Sequence, residues 1–124
     1  TLHTNSTSKT IDRIIDVFPV GQKDQIRSML SESLVAVIAQ RLMRTKDRNG
    51  RVPASEVLMA TSAIRNLIRE NKIYQIQTVL QSGGTEGMQS MDQDLLRLVQ
   101  NGKISRTDAA LVAENPDMFE KGIF

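Results

Sequence analysis

One stretch of this chain departs from helical spacing, and it limits what the remainder can build. Leu34-Val35-Ala36-Val37-Ile38-Ala39 is a continuous apolar run rich in β-branched residues, followed by Gln40-Arg41-Leu42-Met43-Arg44. Its length and branching predict a strand, buried in its first half, with a continued helix as the other option. Asn49-Gly50 is a tight-turn signal, because both residues tolerate positive φ. Arg51 to Ala60 then reads as the return strand of a hairpin. Pro53 cannot donate to a ladder, so it belongs on an outer edge or at a bulge.

Everything around that hairpin reads at a period of 3.6. Ile11, Ile14, Ile15 and Phe18 form one stripe, ended by Pro19 and Gly21, and Gln22 to about Ser33 carries Ile26, Met29 and Leu30. In Ala63-Ile64-Arg65-Asn66-Leu67-Ile68-Arg69-Glu70 the division is sharper. Ile64, Leu67 and Ile68 share one face, and Arg65, Asn66, Arg69 and Glu70 share the other. Ser62 stands where the N-cap of this helix belongs. Asn71 is the expected cap of the next, which buries Ile73, Ile76, Val79 and Leu80. Ser82-Gly83-Gly84 breaks that helix as a linker, since a Walker A loop needs Gly-Lys-Ser/Thr before a helix and none occurs in these 124 residues. Ser90-Met91-Asp92-Gln93 fits a capping box ahead of Leu95, Leu98 and Val99, with Gly102 as the stop. Ser105-Arg106-Thr107-Asp108 opens a last helix to Ala113, ended by Asn115-Pro116. Met118, Phe119, Ile123 and Phe124 are apolar enough to dock. The expected fold is one mostly helical domain of about six helices around one β-hairpin.

Composition removes several function classes. The chain has no cysteine and a single histidine, which excludes thiol chemistry and Cys- or His-clustered metal sites and is compatible with a reducing compartment. No apolar run approaches the roughly 20 residues of a membrane-spanning helix. The formal net charge is only +2, and the four aromatics, Phe18, Tyr74, Phe119 and Phe124, give no base-stacking platform. Thr1-Leu2-His3 is neither an initiator methionine nor a signal peptide, and the chain reads as a fragment entered part-way.

Three surfaces compete for a role. The polar run His3-Thr4-Asn5-Ser6-Thr7-Ser8 leads into a helix, where free N–H groups and the helix dipole suit an anion; the ordinary alternative is a simple helix cap. The charged face of Ala63–Glu70 is either solvated or a contact surface, since Arg is favoured at interfaces. The hairpin tip gathers Arg41, Arg44, Lys46, Arg48 and Arg51 against Asp47, which suits either solvent or a nucleic acid. Asp12 and Asp16 share a helix face without metal-ligand spacing. No catalytic constellation assembles.

Several stretches also carry a family likeness. Ala63 to Glu70, AIRNLIRE, resembles the signature of the type IV pilus retraction ATPases, the PilT family of P-loop motors. Leu2-His3-Thr4-Asn5-Ser6 looks like that family's His box. Ile11 to Pro19, Met88 to Gln93, Gly50 to Ala54 and Ile104-Ser105-Arg106 are similar to its sequences in collinear order. Thr7 stands where Ala is common.

That resemblance implies the C-terminal part of a RecA-like P-loop NTPase domain, an α/β fold. Residues 1–60 would close the RecA-like core with the hairpin, and residues 61–124 would form a C-terminal helical region. The P-loop and an N-terminal domain would lie upstream, so the fragment, lacking Walker A and B, should be inactive alone. The full protein would be a homohexameric ATPase using ATP and Mg²⁺ to drive pilus retraction and twitching motility. It would sit at the cytoplasmic face of the bacterial inner membrane, against the membrane platform protein and pilus base, associated only peripherally and without nucleic acid. His3 would lie near the γ-phosphate as the catalytic candidate, with Thr4, Asn5 and Ser6 as a phosphate-side loop and no metal ligand in the fragment. Ala63, Ile64, Arg65, Asn66, Leu67, Ile68, Arg69 and Glu70 would form the interaction element. The alternatives are a pilus-assembly or type II secretion ATPase of the same superfamily, or a nucleic-acid-binding helical module using the basic hairpin.

Overall fold

The computed structural model describes residues 2–82 and 87–120. The Gly83-Gly84 linker and the terminal Ile123-Phe124 lie outside the described residues. Helices α1 (Thr7–Asp16) and α2 (Lys23–Ser33) precede strands β1 (Ala36–Arg44) and β2 (Arg51–Met59). Helices α3 (Ser62–Arg69), α4 (Ile76–Gln81), α5 (Met91–Gln100) and α6 (Arg106–Val112) follow, with single 3₁₀ turns at Val20–Gln22, Ile73–Gln75 and Pro116–Phe119.

β1 and β2 pair antiparallel from Ala36↔Met59 to Arg44↔Arg51. The hairpin buries one face only. Val37, Ala39 and Met43 point inward, while Val35, Ile38 and Leu42 are exposed. The expected burial of the whole first half of β1 is therefore corrected to an alternation, because a two-stranded ribbon has cover on one side. The inward face carries two apolar clusters. Val37 and Leu58, near the open end, join Ile11, Ile15, Ile64, Ile68, Ile76 and Leu80. Met43 and Ala54, toward the tip, join Met91, Leu95, Leu98, Ile104, Ala109 and Phe119.

Local chemistry explains most boundaries and corrects three. Ser90 and Gln93 form the capping box of α5, and Ser105 caps α6. Helix α3 is capped by Thr61, whose hydroxyl accepts from the Ile64 N–H at 3.4 Å, and Ser62 is its first residue. Asn71 closes α3 rather than opening α4. It sits at φ 60°, its N–H donates to Ile68 O at 3.2 Å, and the Lys72 N–H donates to Leu67 O at 2.8 Å. That pair of bonds is a Schellman ending, and Gly102 at φ 72° ends α5 in the same way. The hairpin turn is longer than a two-residue Asn-Gly turn. Residues 45–50 loop between the strands, and the left-handed residue is Arg48, at φ 65°.

Asp47 organises that loop. Its carboxylate accepts from Thr45 Oγ1 at 2.7 Å and from the Asn49 N–H at 2.9 Å. These bonds favour the ionised form and hold its pKa below the ordinary carboxylate value. A lowered folded-state pKa means that the contribution is complete above the ordinary aspartate value and fades as pH falls through the lowered one. The Asn49 amide resonance is expected to titrate with a midpoint below that of an unstructured aspartate. A midpoint at or above it would show that the loop bonds contribute nothing.

Candidate functional site

Two regions hold the residues singled out by the sequence. At the first, His3, Thr4, Asn5 and Ser6 run into α1 beside a cavity of about 260 Å³ that is also lined by Lys9, Arg13, Arg41, Glu56, Asp92 and Glu114. The loop is braced internally. Thr4 Oγ1 pairs with Thr10 Oγ1 and donates to Ser6 O at 3.2 Å. With its amide nitrogen toward β1, Asn5 donates to Gln40 O at 3.2 Å and accepts from Arg41 Nη2 at 3.2 Å. Ser6 Oγ accepts from the Lys9 N–H as the α1 N-cap.

The start of α1 is not the open anion cradle that its polar lead-in suggested. The Thr7 N–H donates to Glu56 Oε1 at 3.0 Å, and the Lys9 N–H is occupied by Ser6. The cavity wall carries both signs of charge: Lys9, Arg13 and Arg41 line it together with Glu56, Asp92 and Glu114, and His3 is exposed on its edge. Sequence reasoning missed this set. Lys9 and Arg13 are spaced i, i+4 on the first helix, a signal that was available. Arg41, grouped by sequence with the hairpin tip, lies instead at mid-strand opposite Ala54. Among the described residues, no group of three or more His, Cys, Asp or Glu could hold a metal ion.

Asp12 and Asp16 share a face of α1 as spaced. Partial burial, then Asp16, raises the pKa of Asp12 against the opposing pull of Arg27, while Asp16 accepts from Lys23 Nζ at 3.3 Å.

The second region is α3. Ile64 and Ile68 are fully buried and Leu67 is half-buried, so these three seat the helix and do not present to solvent. Ala63, Asn66, Arg69 and Glu70 are exposed. Arg65 departs from the expected outward set: its Nη1 donates to Ser31 O at 2.6 Å and Glu32 O at 3.1 Å. Those are carbonyls of the last turn of α2, which lack helical partners, so the guanidinium clamps α3 to the α2 C-terminus. The outward face of α3 is therefore Ala63, Asn66, Arg69 and Glu70. Arg69 Nη1 donates to Asn66 Oδ1 at 2.8 Å, and Lys72 pairs with Glu70 at 3.6 Å.

The fold defines the class. The structure superposes on a solved pilus retraction motor, PilT with bound ADP, with a TM-score of 0.79 and 44% identity, covering 94% of this chain and 32% of that one. It also matches the Legionella pneumophila ATPase DotB with a TM-score of 0.72, at 23% identity over 90% of this chain and 30% of that one, a likeness of fold alone. The fold is that of the PilT and DotB ATPases. No protein-family model matches the chain. By sequence it is 57% identical over 117 residues to a twitching motility protein of Neisseria gonorrhoeae, covering 94% of this chain and 31% of that protein. It is 52% identical over 119 residues to the type IV pilus retraction ATPase PilT of Pseudomonas aeruginosa, covering 96% of this chain and 34% of that protein. The chain spans about one third of the length of these curated relatives. Over that span it aligns with one segment of each of these proteins.

Proposed function

We propose that this chain is part of a hexameric motor ATPase that couples ATP hydrolysis to type IV pilus retraction. The carrying observation is its identity, above half across nearly the whole chain, to relatives named for twitching motility and pilus retraction. In this reading ATP and Mg²⁺ are bound mainly by parts of the motor outside these 124 residues, and the nucleotide supplies the transferable phosphoryl group. Residues 1–60 close the RecA-like core, and residues 61–124 are its C-terminal helical region. His3, with Lys9, Arg13 and Arg41 behind it, meets the phosphate side and stabilises developing negative charge. Asn66, Arg69 and Glu70 present to a neighbouring subunit or to the pilus machinery at the inner face of the bacterial inner membrane.

A pilus-assembly or type II secretion ATPase of the same superfamily is the second reading; the chain is also 35% identical over 115 residues to a protein of Pseudomonas aeruginosa named only as a type IV pilus ATPase, PilU. The nucleic-acid reading of the hairpin tip is weakened by geometry. Arg48 pairs with Asp108 at 3.1 Å, and Arg41 is turned to Asn5.

The test uses the full-length motor. Asn66→Ala with Arg69→Ala should leave ATP turnover intact and abolish twitching while surface pili persist. Loss of surface pili would favour extension instead. His3→Ala should lower turnover more than ATP binding, and unchanged turnover would reduce His3 to a structural role.

A further inference from the structure

The two apolar clusters hang from one hairpin face, and the residue between them is charged. Glu56 follows Ala54 of one cluster and precedes Leu58 of the other along β2, and it is 2% exposed. Its cross-strand partner is Ala39, whose small side chain takes little of the space between the clusters. An apolar side chain of similar volume would join the clusters into a single core, and burying a carboxylate is costly unless every oxygen is served. Both oxygens are. Oε1 accepts from the Thr7 N–H at 3.0 Å and from Thr7 Oγ1 at 2.6 Å, and Oε2 accepts from the Met91 N–H at 3.2 Å.

Thr7 and Met91 are the first residues of α1 and α5. One carboxylate therefore closes two helix N-termini, each a site where the dipole favours negative charge. The connection continues on both sides. Residues 3–6 run directly into Thr7. Beyond Met91, Asp92 Oδ1 and Oδ2 accept from the Glu114 and Asn115 N–H groups at 2.9 and 2.8 Å. A hydrogen-bonded path thus runs from the cavity loop through β2 to the segment after α6.

The geometry points to Glu56 as a positioning residue that couples the His3–Ser6 segment to α5 and, through Asp92, to the C-terminal segment. It touches no reacting atom. Its use in transmitting the state of the phosphate-side loop to the helical region rests on the motor reading; the coupling itself does not.

Amide hydrogen exchange tests it through a cross-effect. Ser90→Ala removes the cap of α5 and leaves α1 untouched, yet it should speed exchange at the Thr7 N–H about threefold or more, the size of coupling seen within one hydrogen-bond network. In a Glu56→Gln background, where Met91 faces an amide, Ser90→Ala should no longer move Thr7. A Thr7 rate unchanged by Ser90→Ala, or changed equally in both backgrounds, overturns the proposal. Should Glu56→Gln fail to fold, Thr7→Val supplies the second arm. It deletes one hydroxyl on α1 and should speed exchange at Met91 by a similar factor, and an unmoved Met91 overturns the proposal equally. Neither readout involves nucleotide or pili, so failure here leaves the retraction reading standing, and failure of that reading leaves this coupling measurable.

Discussion

Asp92→Ala is expected to destabilise the protein by about 3 kcal/mol, because each carboxylate oxygen of Asp92 serves one backbone N–H and the alanine serves neither. The residue is 1% exposed, although it borders the cavity beside residues 3–6. The loss should be directional. Glu114 and Asn115 lead into the 3₁₀ turn that brings Phe119 into the second apolar cluster, and that segment should release first. For a chain of this size the melting temperature should fall by about 10 °C. Exchange at Glu114, Asn115 and Phe119 should accelerate before exchange in α3 does. A loss below about 1 kcal/mol would show that these two N–H groups find other partners.

Ile68→Ala should cost about 3 kcal/mol for a different reason. Ile68 is fully buried against the first cluster, and truncation leaves a cavity among side chains held by α1, β2 and α4. Denaturant melts should show a lower midpoint with an unchanged slope, since the surface exposed on unfolding barely changes. The contrast with the neighbouring residue is informative. Arg69→Ala removes an exposed side chain and should stay within about 0.5 kcal/mol. A retraction defect from Ile68→Ala would then report a loosened helix, while one from Arg69→Ala would report a lost contact. Comparable destabilisation by both variants would contradict the burial on which the division rests.

The elements legible in the sequence were those set by local rules. Helical spacing marked α1 to α5, the Ser105 start and the Asn115-Pro116 stop marked α6, and Ser90–Gln93 marked the start of α5. Near misses came where two residues offered similar local chemistry. Thr61 and Ser62 can both cap, and Asn71 suits a left-handed helix end as well as a helix start. The site was less legible because distant segments build it. Nothing around residue 65 announces that its guanidinium meets carbonyls of residues 31 and 32. Glu56, between Ser55 and Val57, looks like an outward residue of an alternating strand, and only α1 and α5 arriving from opposite ends of the chain make it an interior one. Arg41 was hidden in the same way, since it meets Asn5 only through the return of the chain from α1 to β1.

The bond between Thr7 and Glu56 spans 49 residues of sequence, and that separation has a consequence during synthesis. At about 10 residues per second, the carboxylate that completes the first turn of α1 is made roughly five seconds after the helix itself. Until then the emerging chain holds Ser6 as its only cap for α1, and Ile11 and Ile15 have neither Leu58 nor Ile68 to pack against. Helix α1 therefore completes its packing only once β2 and then α3 have been made.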